Sequence, residues 1–295
     1  MAAEPHRCGV IALIGCPNVG KSTLLNALLG QKLSITSRKP QTTRQSLRGV
    51  LTTETAQFVF VDTPGFQTRY RGALNRAMNR AIRAALEAVD VVALVIEAKR
   101  FGADDRTLLK QAPQGVPLFL IVNKIDTTAA ADLLPFLKKV AGEAKFDEIV
   151  PVSARSGKGL DEVLRALERH LPEQPATHSG DALTDSNERF LAAEFLREKL
   201  FRLLGAELPY SAGVEIEKFE DEGGMRRIHA AIVVGREGHK AIIIGSGGSR
   251  LKKIATAARL DMEKLFGGKV YLQVWVKVRS GWTDDEAAVR RMGYG

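Results

Sequence analysis

Gly15-Cys16-Pro17-Asn18-Val19-Gly20-Lys21-Ser22 fits the pattern G-x-x-x-x-G-K-S, and it lies between an apolar run at 10–14 and a helical pattern at 21–29. A strand, a glycine-rich turn and a helix in that order make a loop that grips phosphate. The glycines let successive backbone N–H groups converge on the anion, Lys21 supplies a cation for the outer phosphates, and the Ser22 hydroxyl can ligate magnesium. The helix that follows points its positive dipole end at the same anion. A second motif, Asn123-Lys124-Ile125-Asp126, selects the base. The Asp126 carboxylate can accept from guanine's ring N–H and exocyclic amine together, a donor pair that adenine lacks. Together the two motifs define a guanine nucleotide site.

Outward from the loop, apolar β-branched runs at 58–61, 91–96, 118–122 and 149–152 alternate with helical patterns at 72–87, 104–111, 131–142 and 160–170. Such alternation predicts an α/β domain, a mostly parallel sheet with helices on both faces and ligands at the strand carboxyl ends. The stretch 171–180 has two prolines, polar residues and no periodicity, and reads as a linker. The expected plan is a nucleotide domain at 1–171, a linker at 172–184 and a second domain at 185–295.

The second domain opens with an amphipathic helix at 187–204, then two alternating strands at 214–219 and 227–234 joined by Glu220-Asp221-Glu222-Gly223-Gly224. After them come a short apolar segment at 240–244, the turn Gly245-Ser246-Gly247-Gly248, a basic helix at 249–266 and a strand at 270–278. The order is α-β-β-α-α-β. A GxxG turn between two helices, with Arg250, Lys252 and Lys253 directly after it, resembles the smaller α+β type II KH domain, whose loop clamps the backbone of single-stranded nucleotides. The expected RNA contacts are Gly245, Ser246, Gly247, Gly248, Arg250, Lys252 and Lys253. Ile242, Ile243, Ile244, Leu251 and Ile254 read as core, Trp275 as packing, and Trp282 as either.

Composition sets the limits. The chain has 295 residues, 45% hydrophobic and 26% charged, which is ordinary for a globular protein with two domains. Its apolar runs are too short to cross a bilayer, and the first residues lack the basic-then-apolar pattern of a secretory signal, so a cytoplasmic location is expected; a monomer is the separate expectation for its assembly. Two cysteines, Cys8 and Cys16, form no bridge framework or paired metal spacing, and both read as reduced thiols. Net charge +9 favours a polyanionic partner. The excess is not global in the C-terminal part, since residues 181–295 hold 19 Lys and Arg against 17 Asp and Glu. There it is patterned instead, since Arg236, Lys240, Arg250, Lys252, Lys253 and Arg259 face only Glu237 within their window, and a second stretch, 32–53, holds Lys32, Arg38, Lys39, Arg44 and Arg48 with no acid.

Over nearly its whole length the chain resembles the Era family of bacterial GTPases, within the TrmE-Era-EngA-YihA-Septin-like superfamily. The signature is the loop above, 34–44 (Ser-Ile-Thr-Ser-Arg-Lys-Pro-Gln-Thr-Thr-Arg), Asp62-Thr63-Pro64-Gly65, Asn123 to Asp126, Ser153-Ala154, Glu198-Lys199-Leu200, 205–211 and 275–282. The resemblance implies a GTP-hydrolysing factor for small ribosomal subunit biogenesis. It implies binding of the 3′ end of small-subunit ribosomal RNA through the KH domain in the GTP state, with GTP or GDP and Mg2+ as cofactors. Two other functions are weighed: an RNA chaperone in which nucleotide is mainly structural, and a GTPase that touches the inner membrane surface through its basic loop.

Site residues follow from the motifs and the resemblance. Nucleotide contacts are expected from Gly15, Cys16, Pro17, Asn18, Val19, Gly20, Lys21, Ser22, Thr23, Asp62, Thr63, Pro64, Gly65, Phe66, Asn123, Lys124, Asp126, Ser153 and Ala154. Asp62 can reach magnesium through water, and the Gly65 N–H can sense a γ-phosphate. By resemblance one of Thr42 and Thr43, lying in a flexible basic loop, closes over magnesium, and Thr43 is preferred. The catalytic set is then Lys21, Thr43, Gly65 and Asn18, and the magnesium set is Ser22, Thr43 and Asp62. Phe66 stands where many switch GTPases carry the glutamine that orients the attacking water, so slow turnover is expected. Asn18 is a candidate holder of K+, as in relatives with this Pro-Asn loop. The Cys16 thiol is expected to be exposed near the phosphate donors.

Overall fold

Continuous apolar runs without alternation belong to strands covered on both faces. β1 (Arg7–Ile14) meets that description, with Ile11 to Ile14 fully buried in the computed structural model, which describes residues 6–68, 72–205 and 208–292. The expectations that touch residues 1–5, and Ala206 and Glu207 of the 205–211 signature, lie outside the described residues. The chain then runs through α1 (Lys21–Leu28), β2 (Leu47–Thr52), β3 (Ala56–Asp62), α2 (Ala73–Leu86), β4 (Val91–Glu97), α3 (Ala103–Leu109), β5 (Leu118–Asn123), α4 (Ala130–Ala141), β6 (Glu148–Pro151) and α5 (Leu160–His170). The sheet order is β2-β3-β1-β4-β5-β6, with every pair parallel except β2 with β3. This is the anticipated α/β fold, with one strand more than the sequence suggests. β2 falls inside the stretch read as a flexible basic loop, and its register runs Leu47 opposite Asp62 to Thr52 opposite Gln57.

The chain divides into two compact units. The first comprises Met1–Ser34, Thr43–Arg71 and Met78–Asp185; the second comprises Ile35–Thr42, Gly72–Ala77 and Ser186–Gly295. In the first, residues 172–184 have no helix, and they are tied along the sheet. Gln57, fully buried on β3, accepts from Thr177 N at 2.8 Å and His178 N at 2.9 Å and donates to His178 O at 3.0 Å. Val50 N donates to Leu183 O at 2.8 Å, and Arg48 pairs with Asp185 at 3.2 Å. One buried amide thus supplies the hydrogen bonds that a stretch without secondary structure cannot supply itself.

In the second unit α6 (Glu188–Leu203) precedes a sheet of β7 (Ala212–Glu222), β8 (Met225–Val234) and β9 (Lys269–Val278), with β8 antiparallel to β7 and parallel to β9. α7 (Glu237–Ile244) and α8 (Ser249–Phe266) lie between β8 and β9, and α9 (Glu286–Arg291) follows them. Sequence patterning does not reveal α9. α6 departs from its amphipathic reading, because Glu194, Arg197, Glu198 and Lys199 are buried along with Leu191, Phe195, Leu196 and Leu200. Buried charges must be paired, and these are: Arg197 with Glu194, Lys199 with Glu198 and Asp261. Trp282 is core, 1% exposed, with its indole N–H donated to Ser211 O at 3.0 Å. Ile243 and Ile254 are buried as expected, whereas Ile242 is 46% exposed. No helix among the described residues is long and apolar enough to cross a membrane.

Candidate active site

β1 delivers the chain to Gly15, the loop turns through a left-handed Asn18, and α1 begins at Lys21. Gly20 has φ 101°, and a Cβ there would stand 2.3 Å from Asn123 Nδ2. No other residue fits that position, which is why the second glycine of the motif is demanded. The Lys21 ammonium is buried and folds back over the loop, donating to Gly15 O at 2.9 Å and Cys16 O at 3.1 Å. Burial lowers its pKa to about 8 against the opposing pull of the Asp62 charge.

At the mouth of the loop four oxygen-bearing side chains converge. Ser22 Oγ donates to Asp62 Oδ2 at 2.6 Å and lies 3.0 Å from Thr43 Oγ1; Ser34 Oγ donates to the same Asp62 oxygen at 2.7 Å. Asp62 is fully buried at the end of β3. An all-oxygen set of hydroxyls and a carboxylate suits a hard cation such as magnesium. Sequence reasoning assigned no role to Ser34; its only signal was its place at the head of the 34–44 signature.

Beyond Asp62 the backbone passes close to the loop. The Thr63 hydroxyl donates to Leu13 O at 2.7 Å, so it ties β3 to β1. A Cβ on Gly65 would come 2.7 Å from Pro17 Cα, so only glycine brings that N–H so near the phosphate loop. Phe66 N donates to Gly15 O at 3.1 Å, and its ring packs into the core with Ile14, Ile82 and Leu94.

Asn123, at the carboxyl end of β5 and 2% exposed, joins three segments. Its Nδ2 donates to Val19 O at 2.9 Å, and its Oδ1 accepts from Lys124 N at 2.8 Å and Ala154 N at 3.0 Å. Lys124 adopts φ 64°, with its ammonium 3.0 Å from Glu97. Asp126 is exposed and accepts from Ser153 Oγ at 2.6 Å. The Ser153 N–H donates to Lys158 O at 2.9 Å, and the Ala154 N–H donates to Asn123 Oδ1 at 3.0 Å, so both backbone donors of this nucleotide-contact pair are engaged within the protein.

The Cys16 thiol is half-buried and donates to Asp105 Oδ1 at 3.2 Å, turned toward the start of α3 rather than open to solvent. Burial, then the Asp105 charge and hydrogen bond, push its pKa up to about 12. In the second unit Gly245 to Gly248 link α7 to α8, with Ser246 and Gly247 exposed. Lys252 and Lys253 are exposed on α8, while Arg250 Nη1 donates to Ile242 O at 2.6 Å.

Phosphate grip, oxygen cluster and base-reading turn at the ends of one sheet leave a single class, the P-loop GTPases, here carrying a helix–GxxG–helix unit as well. A family model described as 50S ribosome-binding GTPase matches residues 10–124, and one described as KH domain matches residues 207–283. GTPase Era of Nitrosomonas eutropha is 53% identical over 295 residues and is covered completely, as is this chain. GTPase Era of Neisseria meningitidis serogroup A is 54% identical, with 99% of this chain and 96% of the relative covered. Among solved structures, a variant of Aquifex aeolicus Era bound to GDP·AlF4− superposes with TM-score 0.94 at 38% identity, covering 98% of this chain and 99% of that one. Era in complex with MgGDPNP and nucleotides 1506–1542 of 16S ribosomal RNA gives 0.93 at the same identity and coverage. The chain belongs to the Era family of GTPases.

Proposed function

We propose that this GTPase is a nucleotide-driven switch in small ribosomal subunit assembly, binding the 3′ end of small-subunit ribosomal RNA through its KH domain. The observation that carries the reading is likeness over both domains to an Era solved with a GTP analogue and 16S RNA together. Magnesium, when bound, neutralises phosphate charge; Ser22 and Thr43 would ligate it, with Asp62 acting through water. Thr42 is the poorer ligand, since its hydroxyl donates to Lys39 O at 2.7 Å and meets Ser37 Oγ at 2.6 Å. Lys21 would transfer its hydrogen bonds from the Gly15 and Cys16 carbonyls to the outer phosphates. The Gly65 N–H would reach the γ-phosphate, and Asp126 would accept from guanine.

The residue after Gly65 does not orient water, because Phe66 is core, so intrinsic hydrolysis is slow. Asn18, exposed in the loop, is the residue to hold a K+ ion that supplies the missing positive charge. GTP turnover in K+ and Na+, with and without Asn18→Ala, tests this; equal rates in all four conditions remove it. On RNA, the N–H groups of Gly245 to Gly248 would contact the phosphates with Lys252 and Lys253 beside them, while Arg250 braces α7. Filter binding of a small-subunit 3′-end oligonucleotide with GTP analogue, GDP and no nucleotide is the central experiment. Tightest binding with the analogue is expected. Equal affinities in all three would replace the switch by an RNA chaperone with a structural nucleotide.

A further inference from the structure

Arg197 on α6 is fully buried and has no part in the chemistry described so far. Its Nε donates to Glu194 Oε1 at 2.7 Å and its Nη2 to the other carboxylate oxygen of Glu194; its Nη1 donates to the backbone carbonyl of Thr42. Desolvating a guanidinium is costly, and a bidentate carboxylate with a carbonyl at the third position satisfies its rigid fork in one orientation only. The same helix holds the remainder of the 35–42 segment within the second unit. Glu198 Oε1 accepts from Thr36 N at 3.0 Å, and Arg202 donates to Thr36 O at 2.9 Å and Thr36 Oγ1 at 2.8 Å. Lys39 Nζ donates to Leu204 O at 2.6 Å at the carbonyl end of α6. Thr42 is therefore gripped at its carbonyl, one peptide bond before the residue assigned to magnesium.

We propose that Arg197, oriented by Glu194, is a positioning residue for Thr43: it fixes the peptide that joins residues 42 and 43 and so sets where the Thr43 hydroxyl stands. The proposal rests on the reading of Thr43 as a magnesium ligand of the GTP state. Its signature follows from that: the magnesium-dependent gain in affinity for GTP depends on Arg197, while affinity for GDP, held by the phosphate loop and Asp126, does not. Lysine at this position retains the charge opposite Glu194 but cannot reach both partners, and removing both charges avoids leaving Glu194 buried and unpaired.

The test uses the full chain and measures affinity for GDP and for a non-hydrolysable GTP analogue, with magnesium and with chelator, in wild type, Thr43→Ala, Arg197→Lys, Glu194→Gln/Arg197→Met and Thr43→Ala/Arg197→Lys. Thr43→Ala should lose at least tenfold of the magnesium-dependent gain for the analogue, with GDP affinity within threefold of wild type. Both Arg197 variants should show the same split, and the combined Thr43→Ala/Arg197→Lys should lose no more than Thr43→Ala alone. If Thr43→Ala retains the gain, the nucleotide reading itself fails. If Thr43→Ala loses it while both Arg197 variants retain it, or if both Arg197 variants weaken GDP equally, the positioning role is overturned.

Discussion

Asn123→Ala removes the side chain through which the base-reading turn, the phosphate loop and the Ser153-Ala154 loop meet. Three hydrogen bonds of 2.8–3.0 Å are lost, and the Val19 carbonyl and two N–H groups lose their partner at a position 2% exposed. At roughly 1 kcal/mol per bond, and more where a buried group is left unpaired, the loss comes to about 3–5 kcal/mol. For a unit of this size that corresponds to a fall of about 6–20 °C in Tm. Circular dichroism melts of wild type and variant, with and without GDP, read it out; the transition that rises with GDP is the one to follow. Asn123→Asp separates the contributions. It retains the two accepted bonds but sets a carboxylate against the Val19 carbonyl, so it should injure GDP affinity more than stability. A shift below about 2 °C for Asn123→Ala would refute the claim that this amide ties the site together.

Two further outcomes follow from titration. Lys21 in the nucleotide-free protein loses its proton near pH 8, and bound phosphates hold that proton on, so GDP affinity should be flat below pH 8 and fall as pH rises toward 9, by up to about tenfold per unit. The sign for folding is opposite: an unfolded lysine retains its proton up to its ordinary value of 10.5, so the apo protein gains stability from this group as pH rises above about 8, and the gain is absent below it. Lys21→Met should bind weakly with no such slope, and a flat wild-type profile to pH 9 would refute the burial argument. The second outcome concerns Cys16, whose thiolate fraction at pH 8.5 should lie about a thousandfold below that of an unperturbed thiol, with alkylation slowed to match. Asp105→Asn should accelerate labelling, and bound nucleotide should slow it in both proteins; wild-type labelling at the rate of a free thiol would refute the assignment.

The phosphate loop and the parallel strands are legible in sequence because their determinants are local: a glycine spacing, and apolar runs covered on both faces. The segment from 32 to 53 is not, because its determinants are distant. Arg44 reads as a surface cation in sequence yet is 1% exposed, Lys39 caps the carbonyl end of α6, and Leu47 to Thr52 become a strand only against β3. Composition does not expose a helix whose charges are internal either. Glu194, Arg197, Glu198 and Lys199 look like a solvated face until their partners are known. At the site, the phosphate-loop and base-turn residues can be named from pattern, but the role of Ser34, which sequence marks only as the head of the 34–44 signature and whose hydroxyl meets Asp62, requires the fold.

The burial of Phe66 closes an evolutionary route. Installing glutamine there would not create a water-orienting arm at no cost; it would push an amide into hydrocarbon among Ile14, Ile82 and Leu94 and weaken the fold that presents the nucleotide. In the switch proposed above, a shorter triphosphate lifetime would then come from an ion or a partner rather than from a change at this position. On that reading, the timing of release would be set by the surroundings.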